Sequence, residues 1–178
     1  TLITKLKNYL SSNGFKVKVY KFPNRNSPIG TTIDLFLKKD LQINSRYDII
    51  DMFAKDREYS RNQILTDLHD GYIVLVDRYV FSGIAYQIDA NATDMMIYSA
   101  TRIIGHFDKN IIDPSMVYLV KGNHLLKRNE KKERYHDDNR YNLLKKVINE
   151  YQCSMEEIDN TKSIEYAFDQ LKNSFMFD

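Results

Sequence analysis

Apolar residues recur along the chain in two rhythms, and the places where one replaces the other outline the fold. Over residues 2–12, Leu2, Ile3, Leu6, Tyr9 and Leu10 fall at helical spacing, and Asn13-Gly14 ends the run. Phe15, Val17 and Val19 then alternate with Lys16 and Lys18, which predicts a strand at a sheet margin. Residues 45–69 place Tyr47, Ile50, Ala54, Arg57, Arg61, Ile64 and Leu68 on one face and predict one long helix. The run YIVLVDRY (72–79) is continuously apolar up to Asp77, the pattern of a strand covered on both faces in a parallel sheet. One or two helices fill 80–108, and SMVYLV (115–120) predicts a second buried strand. Residues 137–151 read as helix through Tyr141, Leu144, Val147, Ile148 and Tyr151. A weak strand near 153–158 precedes a last helix through Ile164, Ala167, Phe168, Leu171 and Phe175. Strands separated by helices predict an α/β fold, a doubly wound parallel sheet flanked by helices. Ligands in such folds sit at the carboxyl ends of the strands. With no repeat, Pro-rich linker or low-complexity tract, residues 1–178 are expected to form one domain.

Composition narrows the function classes. The net charge is +2 and the mean hydropathy −0.51, with no single-sign block suited to a nucleic-acid groove or a membrane surface. The apolar run 72–76 is far too short for a membrane span. Cys153 is the only cysteine, so no internal disulfide can form, which fits a reducing, cytoplasmic compartment. His69, His106, His124 and His136 share no metal-ligand spacing with each other or with Cys153, so no zinc site is expected. Ser82 has no nearby His-Asp arrangement of a hydrolase.

Candidate chemistry lies in four segments. DRYVFSGIAYQ (77–87) puts an Asp-Arg pair directly after a strand, at the end of a sheet that carries sites; by position alone, Asp77 could equally cap the next helix and Arg78 form a surface ion pair. KFPNRNSPIG (21–30) also follows a strand, and Arg25 offers a planar fork suited to phosphate oxygens. In MFAKDREY (52–59), Phe53 and Arg57 lie one helical turn apart and share a face, an arrangement open to a core role or to ring stacking. KRNEKKERYHD (127–137) is rich in Lys and Arg and joins a strand to a helix.

Together these strings resemble the thymidylate kinase family of nucleoside monophosphate kinases. The resemblance implies transfer of the ATP γ-phosphoryl group to dTMP, giving dTDP, with Mg²⁺ and with a short lid at about 122–136. Phe-Pro-x-Arg implies a cis Phe22-Pro23 bond and places Arg25 on the acceptor phosphate. Asp77 and Arg78 would serve the reacting phosphates, Asp77 through the Mg²⁺ shell or by orienting the acceptor. Phe22, Phe53 and Tyr86 would line the nucleoside pocket, with Arg57 and Gln87 at its polar edges. Arg128 and Arg134 would be the lid cations, Arg134 acting on the transferring group. Family members dimerise through helices such as 45–69, so a homodimer is expected. Two alternatives stand beside this reading: a deoxynucleoside kinase, whose motif would be Glu-Arg-Ser rather than Asp77-Arg78-Tyr79, and a non-catalytic nucleotide-binding homologue. The second arises because no Gly-x-x-x-x-Gly-Lys-Ser/Thr occurs among the six glycines. The family carries that loop directly before its first helix, after a strand lying between the two buried strands identified here. The chain is therefore expected to begin downstream of such a strand and loop.

Overall fold

A computed structural model describes residues 1–89, 91–122 and 140–175. The first helix, α1 (Leu2–Ser12), is capped by Thr1 and leads through a turn into β1 (Val17–Lys21). Next come α2 (Pro28–Leu37), α3 (Arg46–Tyr59), α4 (Arg61–His69) and β2 (Ile73–Asp77). The second half runs α5 (Val80–Gln87), α6 (Asp94–Phe107), β3 (Val117–Gly122), α7 (Tyr141–Glu150), β4 (Met155–Asn160) and α8 (Ile164–Ser174). Helix starts follow local chemistry. Ser27, Ser45, Thr93 and Ser163 each use a side-chain oxygen to accept an otherwise unpaired N–H of the first turn.

Among the described residues all strand pairing is parallel. β1 pairs with β2, Val17 opposite Ile73, and β3 pairs with β4, Val117 opposite Met155. Helices cover both faces. α1 and α8 bury Leu6, Leu10, Ala167 and Leu171 against Val17 and Ile158, with Ile73, Leu75 and Tyr118 alongside, so one helical layer spans both strand pairs. On the other side Val80, Ile84, Ile97, Ile104 and Val147 pack around Leu119 of β3. This is the predicted α/β architecture of parallel strands between helices.

Two expectations are corrected. The long helix over 45–69 is broken at Ser60, which closes α3 with an N–H bond to the Arg57 carbonyl and opens α4. The predicted stripe is buried at Ile50, Ala54, Arg57 and Ile64 but ends on exposed Tyr47 and Leu68. The YIVLV strand is only half-buried, with Val76 exposed, because among the described residues β2 pairs on one edge alone. No described helix is long and apolar enough to cross a membrane.

Candidate functional site

Because β1 and β2 are parallel and in register, Lys21 lies opposite Asp77 and the chain leaves both strands at the same edge. The Phe22 N–H donates to the Asp77 carbonyl at 3.0 Å, and the Lys21 ammonium lies 3.5 Å from the Asp77 carboxylate. Two of the segments singled out by sequence thus emerge side by side. Phe22 is buried, with its ring 5.8 Å from that of Tyr79, and the Phe22-Pro23 bond is cis.

The loop that follows is shaped by an acid the sequence reading did not single out. Asp56, 1% exposed on α3, accepts the Asn24 N–H at 2.9 Å and the Ser27 hydroxyl at 2.9 Å. A buried carboxylate is stable only when its oxygens are bonded in this way. Ser27 Oγ also accepts the Gly30 N–H at 2.8 Å, while Pro28 fills the first helical position, where no N–H is needed. The loop lies so close over α2 that a Cβ at Gly30 would fall 1.8 Å from the Asn24 carbonyl oxygen, so only glycine fits.

Arg25 projects from this loop. Its Nη1 donates to Asp34 of α2 at 2.5 Å, and Lys38 reaches the other oxygen of the same carboxylate at 2.5 Å. The Lys38 hydrogen bond, with the charges of Arg25 and Lys38 adding to it, holds the Asp34 carboxyl below its ordinary range despite some desolvation. The Asp34 anchor therefore stays charged at neutral pH. Ion pairing of this partly exposed kind fixes direction more than it adds stability.

Arg78 sits at φ 67°, in the left-handed region where a non-glycine residue is strained. Such strain persists where surrounding structure over-determines it, often at functional sites. Its guanidinium lies 5.5 Å from the centroid of the Tyr86 ring, within cation–π range. Tyr86 and Gln87 form the end of α5. Tyr79 donates its hydroxyl to the Ile112 carbonyl at 2.9 Å, and burial pushes its pKa up to about 12, so it stays a neutral donor.

Arg57 is set deeper. Its Nε and Nη2 both donate to the Asp108 carboxylate at 2.7 Å, and the two side chains are 3% and 0% exposed. Bidentate pairing fixes the guanidinium plane. Its Nη1 lies 3.3 Å from where a Cβ on Gly83 of α5 would stand. Alanine normally stabilises a helix over glycine by about 1 kcal/mol. Here Gly83→Ala is expected to forfeit that gain, since Arg57 has no room to retreat. A denaturant titration showing a full gain of about 1 kcal/mol would contradict this packing. Phe53 is half-buried against Ile33, Phe36 and Leu37, which places its ring beside α2. Arg128 and Arg134, the expected lid cations, lie outside the described residues.

Phe22, Arg25, Asp77 and Arg78 thus gather where the chain leaves β1 and β2, Tyr86 joins them from the last turn of α5 through its contact with Arg78, and Arg57 lies beneath Gly83. Among the described residues no three His, Cys, Asp or Glu side chains cluster as a metal site built from protein ligands alone would require. The family model described as thymidylate kinase matches residues 1–174. An Archaeoglobus fulgidus protein named "Probable thymidylate kinase" is 32% identical over 165 residues, 90% of this chain and 76% of that protein. The thymidylate kinase of Schizosaccharomyces pombe is 35% identical over 77 residues, 43% of this chain and 36% of that protein. The chain thus spans from 36% to 76% of the length of these curated relatives. In fold it is similar to the thymidylate kinase of Candida albicans, with a TM-score of 0.73 at 23% identity, covering 97% of this chain and 83% of that one. With a family match from the first residue of α1's cap to the end of α8, the chain belongs to the thymidylate kinase family.

Proposed function

We propose that this chain is the acceptor-binding body of an enzyme that transfers the γ-phosphoryl group of ATP to dTMP, giving ADP and dTDP. One observation carries the reading: the register of β1 and β2 sets the Arg25 loop and the Asp77-Arg78 turn side by side at the carboxyl edge. Phosphoryl transfer asks mainly for positioning and charge stabilisation, which such an edge supplies. In this account Arg25, steadied by Asp34, and Arg78, steadied on Tyr86, hold the acceptor phosphate. Phe22, Phe53 and Tyr86 enclose the nucleoside, and Arg57 and Gln87 present polar groups to the base. Arg128 and Arg134 are assigned to the transferring group.

A Mg²⁺ bound to substrate phosphates keeps several waters and needs only one or two carboxylates, so the lone Asp77 at the strand end fits it. When present, the ion would neutralise charge on the donor phosphates. Family membership favours a nucleotide acceptor over the deoxynucleoside kinase and the non-catalytic alternatives.

No glycine-rich phosphate cradle occurs in these 178 residues. The chain by itself is therefore expected to bind dTMP and to form no dTDP. Titration calorimetry paired with a coupled ADP-release assay checks both halves. Turnover by these residues alone would overturn the division of labour, and absence of dTMP binding would overturn the acceptor site.

We infer further a symmetric homodimer with α3 and α4 near the two-fold axis. Tyr47 and Tyr59 on α3 and Leu65 and Leu68 on α4 are large apolar side chains left exposed, which a partner's helices would cover. Light scattering at micromolar concentration should return twice the chain mass; a monomer there refutes the assembly.

A further inference from the structure

The final turn of α5 is held by two arginines from other elements. A helix leaves its last carbonyls without intrahelical partners, and cations are favoured beside them. α5 ends abruptly, with Ile88 in extended backbone. Arg140, at the start of α7, donates through one terminal nitrogen to the Ala85 carbonyl and, at 2.7 Å, to the Ile88 carbonyl. Arg46, in the first turn of α3, donates to the Gln87 carbonyl. A cation in a first helical turn opposes that helix's own dipole, so Arg46 is placed for α5 rather than for α3.

Tyr86 stands between the carbonyls that Arg140 bonds. Its ring centroid is 5.4 Å from the Arg140 guanidinium and 5.5 Å from that of Arg78. One ring is thus shared by a cation from the turn after β2 and a cation at the N-cap of α7. A guanidinium can bond carbonyls with its edge while its flat face lies along an aromatic ring, whereas an ammonium brings only a compact point charge to the ring and no face to stack on it.

We propose that Arg140 is a positioning residue for the acceptor site. Its edge fixes the end of α5, and its plane fixes the Tyr86 ring, so that the nucleoside meets the ring in one orientation. The inference rests on the reading of Tyr86 as a wall of the nucleoside pocket. Arg140 acts on the nucleoside side, so its loss should weaken dTMP and thymidine by the same factor.

The test is a double-mutant cycle read by titration calorimetry. Arg140→Met and Tyr86→Leu are each expected to weaken both ligands by about three- to tenfold. The double variant should be no weaker than the weaker single variant, because Arg140 acts through Tyr86. Arg140→Lys, which keeps the carbonyl bonds, should melt as the wild type does yet still bind both ligands less tightly. It also serves if Arg140→Met fails to fold. Losses that multiply in the double variant overturn the inference, as does an Arg140→Lys protein that binds like the wild type. Unchanged binding by Tyr86→Leu overturns the pocket reading and the inference with it. A weakened Tyr86→Leu beside an unaffected Arg140→Met overturns the inference alone.

Discussion

Asp108→Ala is expected to destabilise the protein by about 3–5 kcal/mol, the cost of leaving a buried charge without its partner. Arg57 is 4% exposed and pairs with Asp108 through two parallel hydrogen bonds. Without the carboxylate, Nε and Nη2 of the guanidinium lose their acceptor inside the protein. For a domain of this size the melting temperature should fall by about 10 °C. Replacing the pair together, as Arg57→Met with Asp108→Leu, should recover much of the loss, because a well-packed apolar pair often matches a buried ion pair. The double variant separates stability from recognition. If Arg57 serves the base as proposed, the restored protein should still bind thymidine poorly. Thermal unfolding and calorimetry of the three proteins check both statements, and a loss below about 1 kcal/mol for Asp108→Ala would show that the pair is not sealed from solvent.

Arg25→Ala is expected to weaken dTMP by roughly ten- to a hundredfold and to leave thymidine nearly unchanged. A hydrogen bond to a charged group contributes about 1.5–3 kcal/mol, and about 1.4 kcal/mol is a factor of ten. Thymidine carries no phosphate for Arg25 to hold. Phe53→Ala should instead weaken both ligands together, by the roughly 1–3 kcal/mol of a base stacked on an aromatic ring. Two variants against two ligands make four titrations. Equal damage to dTMP and thymidine from Arg25→Ala would remove the phosphate assignment and restore weight to a nucleoside acceptor.

Much of the architecture was legible because each element carries its own rhythm. α1, α8 and the four strands are local patterns ended by turn residues or caps, and they lie within a few residues of the predicted spans. The break at Ser60 was not legible, since the apolar stripe runs through it and only a local hydrogen bond to Arg57 marks it. Burial of YIVLV was overestimated because burial depends on a strand's neighbours, which the sequence of one strand does not name. The Phe-Pro-x-Arg and Asp-Arg strings pointed to their loops directly. What holds those loops did not show. Asp56 grips Asn24 from 32 positions away, Arg57 meets Asp108 across 51, and Arg140 meets Ala85 across 55. Each is an ordinary surface-type residue in sequence and acquires its role only when helices bring it to a distant partner. The one available signal was Arg57 on the predicted inner face of its helix with Asp56 beside it, where charge without a partner is costly.

In the function proposed above, the paired loops at the β1–β2 edge form a site for a thymidine monophosphate. Its most direct test is calorimetric titration of the wild-type chain with dTMP, thymidine and CMP at one salt concentration. dTMP should bind most tightly, thymidine about ten- to a hundredfold more weakly for want of a phosphate, and CMP more weakly than dTMP for want of the right base. Equal affinity for dTMP and thymidine, or for dTMP and CMP, would contradict it.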